Sequence, residues 1–167
     1  MPMPLSPRTA RRFAAATALA SLFAAPAVAQ SLDFSVGSSM RGPSEGTIFA
    51  TLEYHAPDSF ASGNWSGGWA GALRVSDDGD GWIGAGYALE YDLGANWYAQ
   101  GSFMPGYYSA GGTALGHSIE FRTLIGIGYR FDAMSSIDLT LDHMSNAGLG
   151  SSNPGIEILA IGYNRRF

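Results

Sequence analysis

The amino-acid sequence predicts an all-β protein, an eight-stranded antiparallel transmembrane β-barrel of the bacterial outer membrane, and three observations carry that expectation. Beyond residue 29 no apolar run approaches the roughly 18 residues of a membrane helix, although all 23 glycines, all four tryptophans and all eight tyrosines lie there. Turn-forming clusters recur at short intervals. Between them, apolar and polar residues alternate with the period of two that sends successive strand side chains to opposite faces.

The first residues read differently. Arg8, Arg11 and Arg12 make a basic start, Phe13 to Ala25 is apolar and alanine-rich, and Ala27-Val28-Ala29 has the small-residue pattern of a cleavage site. Residues 1–29 are therefore expected to be a cleaved secretory signal peptide, and 30–167 a single barrel domain. An uncleaved anchor would need a longer apolar span, about 20 residues. Losing three of the nine arginines leaves six against fourteen acids and takes the formal charge from −5 to −8, and the sequence holds no lysine. Nucleic acid is excluded as a partner, since binding it needs a basic footprint. The absence of cysteine excludes disulfides and thiolate metal sites.

Taken in order, the strands explain the expectation. The first (31–41) ends at Arg41-Gly42-Pro43-Ser44, and the second follows at 46–55. The third (66–76) opposes Arg74 to Leu73 and Val75 and stops at Asp77-Asp78-Gly79-Asp80-Gly81. The fourth (82–92) opposes Glu90 to Leu89 and Tyr91 before Leu93-Gly94-Ala95, and the fifth (95–108) runs to Ala110-Gly111-Gly112. The sixth (116–131) puts Thr123, Ile125, Ile127, Tyr129 and Phe131 on one face and Glu120, Arg122, Gly126, Gly128 and Arg130 on the other. After a turn at Asp132 to Ser135, the seventh (136–146) opposes Ile137, Leu139 and Leu141 to Asp138, Thr140 and Asp142. Asn153-Pro154-Gly155 introduces the eighth (155–167), with Leu159, Ile161 and Tyr163 in line.

A soluble sandwich would show similar alternation, but the apolar faces here end in aromatics, as an interfacial girdle requires. The polar faces mix charges with glycine and alanine, which suits the filled interior of a small barrel. The last residue, Phe167, resembles the C-terminal signature of outer-membrane barrels, from which Arg165 departs. Only closure satisfies every strand's backbone groups in lipid. Eight strands of about ten residues match a tilted bilayer span and the smallest common barrel. An even count sets both termini on the periplasmic side and the loops near residues 42, 79, 112 and 150 outside. Glu53, Arg74, Glu90, Glu120, Arg122, Asp138 and Asp142 are expected to be mutually compensating charges of the barrel interior.

One constellation breaks the oily face. His143 and Ser145 keep the parity of Ile137, Leu139 and Leu141, while Glu157 keeps that of Leu159, Ile161 and Tyr163. Residues two apart on a strand are about 7 Å apart, and opposite residues of paired strands have Cβ atoms about 5 Å apart. Pairing His143 with Glu157 would set Leu141 against Leu159, Leu139 against Ile161 and Ile137 against Tyr163; other registers of the same parity would serve nearly as well. Serine, imidazole and carboxylate so arranged are the parts of an ester-cleaving triad. The plain alternative is that they mark where the strands leave the membrane, since polar groups cost less near the interface.

His143-x-Ser145-Asn146, followed by Asn153-Pro154-Gly155 and Glu157, resembles the lipid A 3-O-deacylase (PagL) family of outer-membrane enzymes, closely over residues 117–167 and elsewhere in size and architecture. The resemblance implies that Ser145 is the nucleophile, His143 the base and Glu157 the third member of the triad, with Asn146 and Asn153 building the oxyanion hole. It implies a substrate, lipid A of lipopolysaccharide, approached among outer-membrane lipids at the outer leaflet, with hydrolysis of the acyl ester at the 3-position and no cofactor. Homodimerisation is left open. The competing readings are an outer-membrane phospholipase A and a non-enzymatic small barrel, adhesive or structural.

Other features are not read as sites. Asp77 to Gly81 lacks the downstream glutamate of a calcium loop and is expected to be a solvated hairpin tip. Gly84-x-Gly86 and Gly126-x-Gly128 lie within strands and are expected to make interior room. No G-x-S-x-G elbow is present, which disfavours a soluble α/β-hydrolase. His55 and His117 are expected at strand ends in interfacial or loop roles, with no third ligand for a metal.

Overall fold

The computed structural model describes residues 30–167, so the segment expected to be a signal peptide lies outside the described residues. Alternating sequence becomes nine strands: β1 (Ser31–Arg41), β2 (Ile48–His55), β3 (Phe60–Ser62), β4 (Trp65–Ser76), β5 (Gly81–Gly94), β6 (Trp97–Ser109), β7 (Ile119–Arg130), β8 (Ser135–Ser145) and β9 (Ile156–Arg166). Eight of them close a barrel in chain order. β2 pairs with β1 and β4, β1 pairs with β9 from Ser31↔Arg166 onward, and every neighbouring pair is antiparallel. No barrel strand is left with an open edge, the condition for a wall in hydrocarbon.

The ninth strand was not expected from the sequence. β3 pairs with the start of β4 at Phe60↔Gly67 to Ser62↔Trp65 and prolongs β2 across a break at Pro57. The Ala56 N–H still reaches Trp69 O and the Ser59 N–H reaches Gly67 O. Between them Pro57 has no N–H to offer the ladder.

Outside, the wall is apolar. Phe34, Leu52, Leu73, Ile83, Ile125, Leu139 and Ile161 are all exposed, Ile125 by 64%. A surface this oily belongs in lipid. Aromatic pairs mark one rim: Trp65 with Tyr91, and Trp97 with Tyr129, at ring separations of 4.8 and 5.1 Å. The first and last described residues meet at that rim, where the Phe167 N–H donates to Gln30 O. The connections 42–47, 77–80, 110–118 and 146–155 gather at the other end, as expected.

Inside, charges are paired across the lumen. Arg74 on β4 donates to both oxygens of Asp142 on β8 at 2.9 and 2.5 Å and to Thr51 on β2 at 2.8 Å. Arg122 on β7 reaches the same Asp142 at 3.3 Å and Glu53 on β2 at 2.5 Å. His55 Nε2 lies 3.2 Å from Glu53 Oε1, so this histidine joins the interior network instead of taking the interfacial role expected of it. Glu90 is held by Arg130 and Arg166. Compensation is incomplete: among the described residues no cation pairs with Glu120 or Asp138, because acids outnumber arginines, and neither carboxylate oxygen of the buried Glu120 has a hydrogen-bond partner.

The rest of the lumen is filled unevenly. Towards the loops Phe49, Met104, Tyr108, Met144, Ile156 and Ile158 form an apolar plug. Towards the termini lies a polar cavity of about 100 Å³ lined by Asp33, Glu53, His55, Tyr98, Gln100 and Asp138. The interior glycines make room as expected: Gly84 and Gly106 lie against the Trp82 indole, and Gly128 against the Tyr98 ring.

Removing Asp142 would leave two buried guanidiniums without their shared anion, a loss of about 3–5 kcal/mol. Asp142→Ala is expected to lower the urea midpoint of unfolding in detergent micelles accordingly. An unfolding free energy within about 0.5 kcal/mol of wild type would show that Arg74 and Arg122 do not depend on it.

Candidate active site

Asp142 anchors β8 from within, and its successor His143 consequently faces outward. β8 pairs with β9 in the register His143↔Glu157, Leu141↔Leu159, Leu139↔Ile161 and Ile137↔Tyr163. On the other side of β8, His143 is opposite Thr123 and Ser145 opposite Phe121 on β7. His143 is exposed, while Ser145 and Glu157 are half-buried at the end of the same outer face. The structure thus brings together the three residues that the sequence set on one parity. Among the described residues no hydrogen bond links His143 to Ser145, and no ion pair links it to Glu157, whose Oε1 instead lies 3.8 Å from Arg41 Nη1. Hydrogen bonds of such sites are often long before substrate binds.

The imidazole is seated on backbone. A Cβ added at Gly155 would lie 3.0 Å from His143 Cε1 and 3.7 Å from Nε2. Gly155 also has φ of 62°, a left-handed conformation that a side chain disfavours. Asn153-Pro154-Gly155 is therefore both the turn into β9 and the floor beneath the histidine.

Asn146, which is fully buried, braces this loop. Its Nδ2 donates to Leu115 O and to Ser152 O, both at 2.8 Å, and its Oδ1 accepts the Gly148 N–H at 3.0 Å. Its own backbone N–H donates to Asn153 Oδ1 at 2.9 Å. Both amide hydrogens of Asn146 are spent in this conformation, so the side chain implied as an oxyanion donor acts here as scaffold. Asn153 is exposed, and with its oxygen engaged it keeps only its NH2 for a further partner.

The acidic hairpin tip differs from expectation. Asp80 is buried, with Oδ1 accepting from the backbone N–H of Gly111 at 2.7 Å and of Thr113 at 3.1 Å. Asp78 accepts from Ser76, Thr113 and Thr47, and the Ser76 hydroxyl in particular lowers its pKa from the usual carboxylate value. These carboxylates tie loops together by accepting backbone and hydroxyl protons, contacts between segments that no local motif announces. Among the described residues no cluster of three histidine, aspartate or glutamate side chains is arranged to hold a metal. His117 stays in its exposed loop, where Nδ1 accepts the Ile119 N–H at 2.9 Å.

Sequence reasoning missed Arg41. A β-bulge between Ser39 and Arg41 brings it opposite Glu157, and simple parity would have sent it into the lumen. The only advance signal was Gly42 just after it.

A closed wall with an oily exterior, a filled lumen, and serine, histidine and glutamate gathered on the outer surface near the loops defines a small transmembrane β-barrel with a candidate hydrolytic site facing lipid. The sequence model of lipid A 3-O-deacylase (PagL) matches residues 49–166, and the chain belongs to that family. A curated relative, the lipid A deacylase PagL of Bordetella bronchiseptica, is 29% identical over 86 residues, which cover 52% of this chain and 44% of the relative. The crystal structure of the outer membrane enzyme PagL superposes with a TM-score of 0.69 at 20% identity, covering 81% of this chain and 98% of that one. A structure from the de novo design of transmembrane β-barrels gives 0.60 at 10% identity, covering 86% and 98%. At such identities the likeness is one of fold.

Gly155→Ala is expected to cost on the order of 1–2 kcal/mol from the left-handed backbone and to shift the His143 Cε1–H resonance in the proton NMR spectrum. A resonance left in place would show that the imidazole does not rest on Gly155.

Proposed function

We propose that this chain is a lipid A 3-O-deacylase, a serine esterase of the outer membrane that hydrolyses the acyl ester at the 3-position of lipid A. The reading is supported above all by a serine, a histidine and a carboxylate sharing the lipid-facing wall near the loops, in a chain of this family. A site on the wall suits a substrate that is itself a membrane lipid. The end that carries the connections 110–118 and 146–155 belongs outside and the end with the tight turns 95–96 and 131–134 in the periplasm, and residues 1–29 act as the export signal.

In this mechanism Ser145 Oγ attacks the ester carbonyl as His143 takes its proton, while Glu157 steadies the imidazolium. The Asn153 amide, with its oxygen held by Asn146 N–H, donates to the oxyanion of the tetrahedral intermediate. Collapse breaks the bond to the sugar oxygen, which leaves as the hydroxyl after receiving the proton from His143. Water, deprotonated by His143, then attacks the acyl-serine and releases the fatty acid. Ser145 is restored, and no step passes through a metal.

Mass spectrometry of lipopolysaccharide from cells expressing the protein is expected to show lipid A lighter by one ester-linked acyl chain. Ser145→Ala and His143→Ala should each lower the rate by about 10⁴-fold or more, and Glu157→Ala somewhat less. An unchanged lipid A mass in cells making folded wild-type barrel would refute the assignment. The purified enzyme should keep its rate in excess EDTA; loss of activity restored by calcium would point to a calcium-dependent lipase mechanism instead.

A further inference from the structure

Alternation along β1 makes the position of Arg41 a puzzle. Ser31, Ser35 and Ser39 face the lumen and are buried, and the same parity would carry Arg41 inward with them. Instead the pairing with β9 steps from Ser39↔Ile158 to Arg41↔Glu157. Met40 is the extra residue, 57% exposed, and the Arg41 side chain is 79% exposed beside Glu157. The bulge is pinned through Ser39: its N–H donates to Thr47 O at 2.9 Å, its O accepts the Gly46 N–H at 2.8 Å, and its hydroxyl donates to Arg41 O at 3.0 Å. Bulges recur next to active sites because they re-aim one side chain.

The re-aimed side chain has one long, exposed ion pair and no hydrogen-bonded partner among the described residues. Arg74 and Arg122 are consumed in the lumen, while Arg130 and Arg166 hold Glu90 and Arg165 holds Ser135 towards the other end. Among the described residues Arg41 is the one arginine at the loop end, where Glu45, Asp77, Asp78, Asp80 and Glu157 carry the opposite sign. Its approach to Glu157, 3.8 Å, is too long for a hydrogen bond, and so exposed an ion pair is weak. That contact leaves the donors of a planar fork, suited to bidentate phosphate recognition, free for another anion.

We propose that Arg41 is a specificity-determining residue which binds a phosphate monoester on the same glucosamine whose acyl ester is cleaved, a proposal that rests on the deacylase reading. Arg41 is level with His143 across two strand spacings, and Ser145 lies two residues further along β8, about 12 Å from Arg41 at the backbone, a span that one phosphorylated, acylated hexosamine can bridge with the reach of the Arg41 side chain. A dianionic phosphate this close to Glu157 would be repelled. The guanidinium lies between them and removes that conflict, so the site carboxylate and the substrate's charge can coexist.

The test is steady-state kinetics in neutral detergent micelles, with lipid A carrying or lacking the phosphate on its 3-acylated sugar. Arg41→Ala is expected to lower kcat/KM at least tenfold on the phosphorylated lipid, through KM, and less than threefold on the dephosphorylated one. Wild type should lose a similar factor when the phosphate is removed, and Arg41→Lys should recover part of the loss. Equal losses of kcat on both lipids would overturn the proposal, because Arg41 would then act through Glu157. So would a penalty that follows added phosphatidylglycerol instead of the substrate's own phosphate. Equilibrium binding of the two lipids to Ser145→Ala protein, with and without Arg41→Ala, reads the same preference without turnover. Wild type inert on both lipids while that preference persists would refute the deacylase reading and leave the phosphate contact standing; no preference in binding would refute the contact.

Discussion

In a wall bathed by hydrocarbon, backbone hydrogen bonds hold neighbouring strands together, but a slip by two residues would satisfy them nearly as well. What distinguishes one register from the next is the pattern of side chains inside. Asp142 meets Arg74 from β4 and Arg122 from β7, and Arg122 goes on to Glu53 on β2. Four strands are thereby fixed against one another at one level of the lumen. The next residue of β8, His143, is fixed by the same contacts on the opposite surface, and with it Ser145, while Glu157 follows through the pairing of β9 with β8. The outer site thus inherits its geometry from an interior that it never touches.

Much of this was legible because a strand encodes its faces in parity alone. Ile137, Leu139, Leu141, His143 and Ser145 form one series, and barrel closure left no other surface for them. The register was not legible, since several of the same parity align apolar pairs; His143↔Glu157 is the one among them that the structure adopts. What escaped were features made by contacts between distant segments. The bulge before Arg41 depends on Thr47 and Gly46 meeting Ser39, and the bracing role of Asn146 depends on Leu115, 31 residues away. The break at Pro57 carried a local sign, but β3 beyond it is held only by its partner β4. His55 sat at a strand end, yet it keeps the lumen-facing parity of Thr51 and Glu53 and lies beside the Glu53 carboxylate.

The arrangement also explains how polar groups are tolerated on an oily surface. The depth dependence of the cost of charge in a barrel wall favours strand ends, and His143, Ser145 and Glu157 occupy them. Ion pairing with Arg41 and the backbone floor at Gly155 surround the group with polar atoms of the protein. The loops above are tied to one another through Asp78, Asp80 and Asn146, so the rim over the site is a built surface. A lipid drifting along the wall would meet a patch already organised, with little ordering left to do on arrival.

The filled lumen has a further consequence for such a barrel. Phe49, Trp82, Met104, Tyr108 and Met144 occlude the half towards the loops, the arginine–carboxylate lattice crosses the lumen next to them, and a polar cavity lies beyond it. Anything moving along the lumen would have to part buried ion pairs and then the apolar plug. The lumen is thus built as a packed core, and the outer wall is the surface that such a barrel offers to other molecules of the membrane.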